Sequence, residues 1–326
     1  MPSGKVYIGI DLGGTNVQIG AVSDEYKLLS DAKRKTRGEE GMDSVIDRII
    51  DGIDEACRAA DVKIDNLTAV GIGAPGAVEP AEGVVLEAVN LRWNNVPLAS
   101  IMSKRLKVPV FLDNDVNVAV YGENRLGSGK NAENLLGVWA GTGIGGGLIL
   151  NGKLYYGHFF TAGEIGHTIL FPGNPPGSRS LEQNCSRTAI VDRLTRLITS
   201  NRKSSISAMV EGDLTRIRSK VIGKAFEEQD PLTVEVVENA AHLIGISIAG
   251  VVTLLSLPRV VLGGGLTEAL GQPFVDMVQK SARRFAFPDV CRKVDVVASK
   301  LEDHAGVLGA AMIAAERLED EKRKKK

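Results

Sequence analysis

The chain has 326 residues, more than one hydrophobic core usually serves, so two domains are expected. Hydrophobic residues make up 44% and charged residues 24%, an ordinary globular mixture. A net charge of −1 argues against a nucleic-acid or anionic-membrane partner. Cys57, Cys185 and Cys291 are scattered, which disfavours a disulfide framework and suits a reducing cytoplasm. No signal-peptide pattern precedes the first strand. Leu243 to Leu257 is the most apolar run, too short for a bilayer and carrying Ser247, Thr253 and Ser256, so it is read as a buried helix.

The chain opens on two short strands within Lys5 to Val22. Val6, Ile8 and Ile10 alternate with Tyr7, Gly9 and Asp11, and Val17, Ile19 and Ala21 alternate again. Between them Gly13 and Gly14 let phosphate oxygens approach backbone N–H groups, with Thr15 and Asn16 as further donors. Asp11 beside such a turn suggests Mg²⁺, held directly or through water. A bare hairpin with an ordinary Gly-Gly turn explains the local pattern equally well. A third strand (Lys27 to Thr36), a helix (Asp43 to Ala60), a strand (Leu67 to Gly73), a helix (Leu98 to Leu106), a strand (Val108 to Leu112) and a helix (Val116 to Leu126) follow.

The second half repeats this order. Strands are expected at Leu135 to Ala140, Gly147 to Leu150 and Lys153 to Tyr156, then helices at Leu181 to Thr199 and Pro231 to Ser256. A strand (Arg259 to Leu262), a helix (Leu266 to Phe285), a strand (Val294 to Ala298) and a helix (Gly306 to Leu318) complete it, with an insertion between Asn201 and Gln229. Two copies of one α/β unit imply two facing domains, 1–125 and 126–305, with a shared ligand gripped by one turn from each. The last helix, 306–320, is expected to pack back on the first domain. Residues 321–326, with the basic cluster Lys322 to Lys326, are read as a disordered tail.

Gly141, Gly143 and Gly146 match a GxGxxG string, as do Gly71, Gly73 and Gly76. A dinucleotide site needs a helix after that turn, and neither string has one. Gly129-Lys130 lacks the Ser or Thr of a P-loop, because Asn131 follows. Gly141-Thr142-Gly143 instead mirrors Gly13-Gly14-Thr15 as a second phosphate clamp. Gly263, Gly264 and Gly265, between a strand and a helix, suit either the close approach of a flat ring or ribose, or a plain tight turn.

Asp11 to Asn16, Leu112 to Asn117 (LDNDVN), Ala140 to Gly147 (AGTGIGGG), Gly163 to His167 (GEIGH) and Leu262 to Leu266 (LGGGL) together resemble the ROK family of sugar kinases and repressors. The ordered set covers residues 5 to 315. The resemblance implies the actin/hexokinase/Hsp70 ATPase fold, two ribonuclease-H-like domains with an interdomain cleft, binding ATP, Mg²⁺ and a sugar, and it implies a homodimer. It implies that Asp115 is the catalytic base and that Asn114 binds the same sugar hydroxyl region. Spacing alone does not separate Asp115 from Asp113. Glu164, His167 and Glu182 are implied to hold sugar hydroxyls, with Asn90 and Gly76 as further contacts. Taken alone, Glu164 and His167 also fit a capping acid and a core histidine.

Most of the family follows the histidine with a cysteine-rich zinc motif. This chain has Phe171 to Ser178 (FPGNPPGS) there, with only Cys185 nearby, so no zinc site is expected. The implied reaction is ATP-dependent phosphorylation of glucose at its 6-hydroxyl. Fructose, mannose, glucosamine and N-acetylmannosamine stay open as acceptors, and polyphosphate as donor. A sugar-sensing transcriptional regulator is the rival class; it calls for a helix-turn-helix segment before the first strand, where Lys5 already begins that strand. A non-catalytic scaffold is the third.

Overall fold

A computed structural model describes residues 4–324, so Lys325 and Lys326 of the basic cluster lie outside it. The chain divides into two compact units. One comprises residues up to Leu126, Tyr156–Ala162 and Asp303 onward; the other is Gly127–Tyr155 with Gly163–Glu302.

The first unit contains β1 (Val6–Leu12), β2 (Asn16–Ser23), β3 (Leu28–Lys35), α1 (Met42–Ala59), β4 (Ala69–Ala74), β5 (Ala77–Glu79), β6 (Val84–Ala88), β7 (Trp93–Val96), α2 (Leu98–Leu106), β8 (Val110–Asn114) and α3 (Asp115–Leu126). Its main sheet has the order β3-β2-β1-β4-β8. The first three strands are antiparallel, and β1, β4 and β8 are parallel. Ile8, Ile10 and Ile19 from the sheet join Ile46, Ile49 and Ile53 of α1 in one core. The hairpin sheet β5-β6-β7 is not apparent in the sequence, because its strands have only 3, 5 and 4 residues.

The second unit contains β9 (Leu135–Ala140), β10 (Ile144–Leu150), β11 (Lys153–Leu154), α4 (Leu181–Cys185), α5 (Arg187–Thr199), α6 (Ile206–Met209), α7 (Ser219–Glu227), α8 (Pro231–Leu255), β12 (Arg259–Gly263), α9 (Gly265–Phe285) and β13 (Asp295–Ala298). Its sheet order, β11-β10-β9-β12-β13, repeats that of the first unit strand for strand. This is the doubled α/β unit read from the two glycine hairpins.

Several boundaries differ from the sequence reading. The strand expected to reach Tyr156 ends at Leu154, and Tyr156–Ala162 joins the first unit. The helix expected over Leu181 to Thr199 is two helices, because Ser186 takes an extended conformation and its hydroxyl caps α5 through the Ala189 N–H. Helix α8 has 25 residues, long and apolar enough to cross a membrane, so length does not decide its place. It packs against α9, burying Val236, Val237, Ile244, Ile248 and Val252.

The final helix, α10 (Ala305–Lys324), belongs to the first unit and runs to Lys324 instead of giving way to a disordered tail at 321. Glu319–Lys322 and Asp320–Arg323 pairs one turn apart support that end, and its basic residues suit the helix C-terminus. Its close seat on the sheet has a simple cause. Gly9 and Gly71 stand opposite each other on β1 and β4. A Cβ on either would come within 1.9 Å of a carbonyl oxygen of α10, that of Val307 or Ala310.

Candidate active site

In the first unit the β1–β2 turn is closed by the Gly13 N–H, which donates to the Asn16 carbonyl at 3.0 Å. Buried Thr36 fastens it: its hydroxyl donates to the Gly13 carbonyl at 2.6 Å and its N–H to the Thr15 carbonyl at 3.0 Å. Gly14 and Thr15 are left exposed, with the Asn90 side chain beside Gly14. Asp11, at the end of β1, lies against the start of α10 at Gly306. Burial, reinforced by Asp303 and opposed by Lys33, pushes its carboxyl up from 3.8 to about 6. No hydrogen-bond donor among the described residues holds this carboxylate, and Lys33 offsets its burial only in part. An oxygen-preferring divalent cation with its own waters fits such a group.

The strand β8 runs into α3 without a loop, and this junction carries three acidic or amide side chains in a row. Asn114 Oδ1 accepts from the N–H groups of Val116 and Asn117 at 2.9 and 3.0 Å, capping the helix. Its amide donates to the Gly76 carbonyl at 2.9 Å, joining two of the expected sugar contacts. Asp113 is 1% exposed and ion-paired with Arg317. Asp115 is half-buried at the first position of α3, where it accepts from the Val116 N–H at 2.8 Å. The two aspartates that spacing left tied thus differ in burial and in partners.

In the second unit the Gly141-Thr142-Gly143 turn ends β9. The Gly141 N–H donates to the Gly143 carbonyl at 2.9 Å. The start of α5 holds the turn from outside: the Arg187 N–H donates to the Gly141 carbonyl at 2.9 Å, the Arg187 guanidinium to Thr142 Oγ1 at 2.6 Å, and Thr188 Oγ1 to the Thr142 carbonyl at 2.8 Å. Glu182 accepts the Ile144 N–H at 2.7 Å. A Cβ on Gly143 would collide with that carboxylate at 2.2 Å. Gly264 lies against the Ala140 backbone and Gly263 against the Trp139 ring, so the third glycine turn borders the second.

Glu164 precedes and His167 ends a single helical turn, Ile165–His167, with His167 Nε2 3.9 Å from the Glu164 carboxylate. Burial raises Glu164 above its ordinary value; His167 opposes this and Glu182 adds to it, so the three groups form one cluster. The segment that follows His167 is held by hydrogen bonds of its own. Asn184 Nδ2 donates to the Ser178 and Ser180 carbonyls at 3.0 and 2.7 Å, and Ser180 and Gln183 form a reciprocal capping box on α4. Cys185 is fully buried, and burial pushes its thiol up to about 12.

Three residues at these sites gave no sign in the sequence. Thr36, Arg317 and Tyr156 carry no motif and meet the site only through the fold. Arg187 offered a faint one, a cation directly after a capping serine at a helix start.

A model of the ROK family matches residues 7–317. The chain is 33% identical over 323 residues to a glucokinase of Thermotoga maritima, covering 98% of this chain and 99% of that one. It is 30% identical over 318 residues to a glucokinase of Halalkalibacterium halodurans, covering 95% of each. Among solved structures, a ROK family glucokinase from Streptomyces griseus in complex with glucose and AMPPNP is similar with a TM-score of 0.86 at 31% identity, over 95% of this chain and 99% of that one. The chain belongs to the ROK family, and its two units have the actin-like ATPase fold of the family's kinases.

Proposed function

We propose that this chain is an ATP-dependent hexose kinase that transfers the γ-phosphoryl group to the 6-hydroxyl of glucose. The observation that carries the reading is the contrast at the end of β8: Asp113 is buried and paired with Arg317, whereas Asp115 is half-buried at the head of α3. Asp115 is thus the carboxylate we assign as the base. It takes the proton from O6 as O6 bonds to the γ-phosphorus and the bond to the β–γ bridging oxygen breaks, leaving ADP. Such a base is worth about 10²- to 10⁴-fold.

Asn114 has its oxygen committed to capping α3 and one amide proton committed to Gly76, which leaves a single N–H for the sugar. Asn90 and Gly76 complete the first unit's sugar contacts. Glu164, His167 and Glu182 take the other hydroxyls. The turns Gly13–Asn16 and Gly141–Gly143 hold phosphate oxygens through backbone N–H groups, and Gly263–Gly265 lies against the nucleoside. Magnesium at Asp11, direct or through water, neutralises phosphate charge when bound. The glucose and AMPPNP held by the S. griseus protein support glucose as acceptor and ATP as donor.

We further assign the chain to the cytoplasm as a homodimer, with neither membrane nor nucleic acid as partner. Leu254, Leu255, Phe285, Phe287 and Val290 are exposed apolar side chains of the second unit, of the kind a second copy covers. No structural zinc is assigned, because the Cys185 thiol is protonated and buried while His167 is exposed. One zinc per chain in metal analysis of purified protein would defeat that assignment. The kinase reading is tested by coupled ADP release with Mg-ATP across a panel of hexoses, on wild type and Asp115→Asn. Turnover strongest on glucose and collapsing in the variant is expected; a panel without turnover overturns the reading.

A further inference from the structure

Asp113 gathers partners from parts of the chain that are remote in sequence. Arg317 of α10 donates one terminal nitrogen to the Leu112 carbonyl at 2.7 Å and the other to the Asp113 carboxylate. The second nitrogen also lies 3.0 Å from the Tyr156 hydroxyl, which itself donates to Asp113 Oδ2 at 2.7 Å. Burial and the Asp113 charge push Tyr156 up, so the phenol keeps its proton and serves as a donor. The opposite oxygen, Oδ1, accepts from the Asn114 N–H at 2.8 Å and from Asn117 Nδ2 at 3.2 Å.

One side of the carboxylate is therefore tied to a cation and a phenol, and the other to the two residues that bracket Asp115 in the chain. Capping α3 does not require this, because Asn114 Oδ1 already satisfies the first N–H groups of that helix. Asp113 is 1% exposed, and a carboxylate buried that deeply without a partner cation is costly, so Arg317 is the partner its burial requires. What the extra bonds add is a fixed direction for the turn from β8 into α3.

We propose that Asp113, Arg317 and Tyr156 form a positioning network that fixes the Asp115 carboxylate in the orientation for taking the proton from the sugar hydroxyl. The proposal rests on the reading of Asp115 as base. None of the three touches the reacting atoms; they act through the Asn114 N–H and the Asn117 side chain. Misplacing a catalytic group by an ångström costs on the order of a hundredfold in rate.

The test is steady-state kinetics with glucose and Mg-ATP on Tyr156→Phe, Arg317→Met and Arg317→Lys, each also made on the Asp115→Asn background, with thermal unfolding alongside. Tyr156→Phe is expected to lower kcat by about tenfold or more while both KM values stay within about twofold. On the Asp115→Asn background the same change should cost almost nothing further, because the group being positioned is gone. Arg317→Met should lose more, and Arg317→Lys should recover part of it. If Arg317→Met does not fold, Tyr156→Phe decides, since it removes one hydroxyl. A Tyr156→Phe kcat within about twofold of wild type, or an equal loss with and without Asp115, overturns the network. A wild type silent on every sugar strikes down the kinase reading itself, a different result from an active wild type with an unaffected Tyr156→Phe.

Discussion

The Glu182 carboxylate accepts the backbone N–H of Ile144 at 2.7 Å, directly after the Gly141–Gly143 turn. A residue assigned to the sugar thus also buttresses the turn assigned to phosphate. Gly143 permits this, because any Cβ there would meet the same carboxylate. Glu182→Ala is accordingly expected to raise KM for ATP and for glucose together, each by about tenfold, the cost of one charge-assisted hydrogen bond. A rise confined to glucose would show that the bond to Ile144 carries no weight in donor binding.

Arg187 brings a cation to the Gly141–Gly143 turn that we assign to phosphate, with its guanidinium on Thr142 Oγ1. Phosphate groups bind guanidinium well in this setting. Arg187→Ala should raise KM for ATP about fivefold to tenfold and flatten its dependence on salt, with KM for glucose unchanged. Equal salt dependence in variant and wild type would remove Arg187 from the donor site.

The repeated sheet was legible because each hairpin announces itself twice, by alternation in strands such as Val6–Leu12 and by a glycine turn at its tip. Strands β5 to β7 were hidden, being too short for their period to register. The choice between Asp113 and Asp115 lay outside the reach of spacing, because two residues apart in an extended strand and helix start both face plausible roles. What distinguishes Asp113 is its pairing with Arg317, 204 positions away, and no local pattern points across that distance. Arg187 was overlooked because one helix was expected where Ser186 divides two.

The pair Gly9 and Gly71 sets how near α10 can approach the first sheet. Adding one methyl at Gly71 would press on the Ala310 carbonyl, which is backbone and cannot rotate away. Gly71→Ala should destabilise the chain by roughly 1–3 kcal/mol or more, as over-packing of a dense interior does. Thermal unfolding is the check, and a midpoint equal to that of wild type would mean that α10 shifts without cost. Activity should fall as well, because Arg317 rides on the same helix.

Asp11 makes stability depend on pH in a direction opposite to most carboxylates. Its folded value is about 6 against an ordinary 3.8, so between those values the folded chain keeps a proton that the unfolded chain has released. Stability is therefore lost as pH rises from about 4 to about 6, and the loss is complete above that window. The cause is burial, with Asp303 adding to it, so removing the charge at Asp11 should remove the slope. Asp11→Asn, which nearly keeps the shape, is expected to unfold at a higher temperature than wild type at pH 7.5 without Mg²⁺. At pH 4 the two should converge, because wild type is then protonated there. Added Mg²⁺ with ATP should raise the midpoint of wild type more than that of the variant, and more at pH 7.5 than at pH 5. Melting curves for the two proteins across this range decide the matter: parallel curves would mean that the Asp11 charge is already compensated within the fold and has no need of a cation.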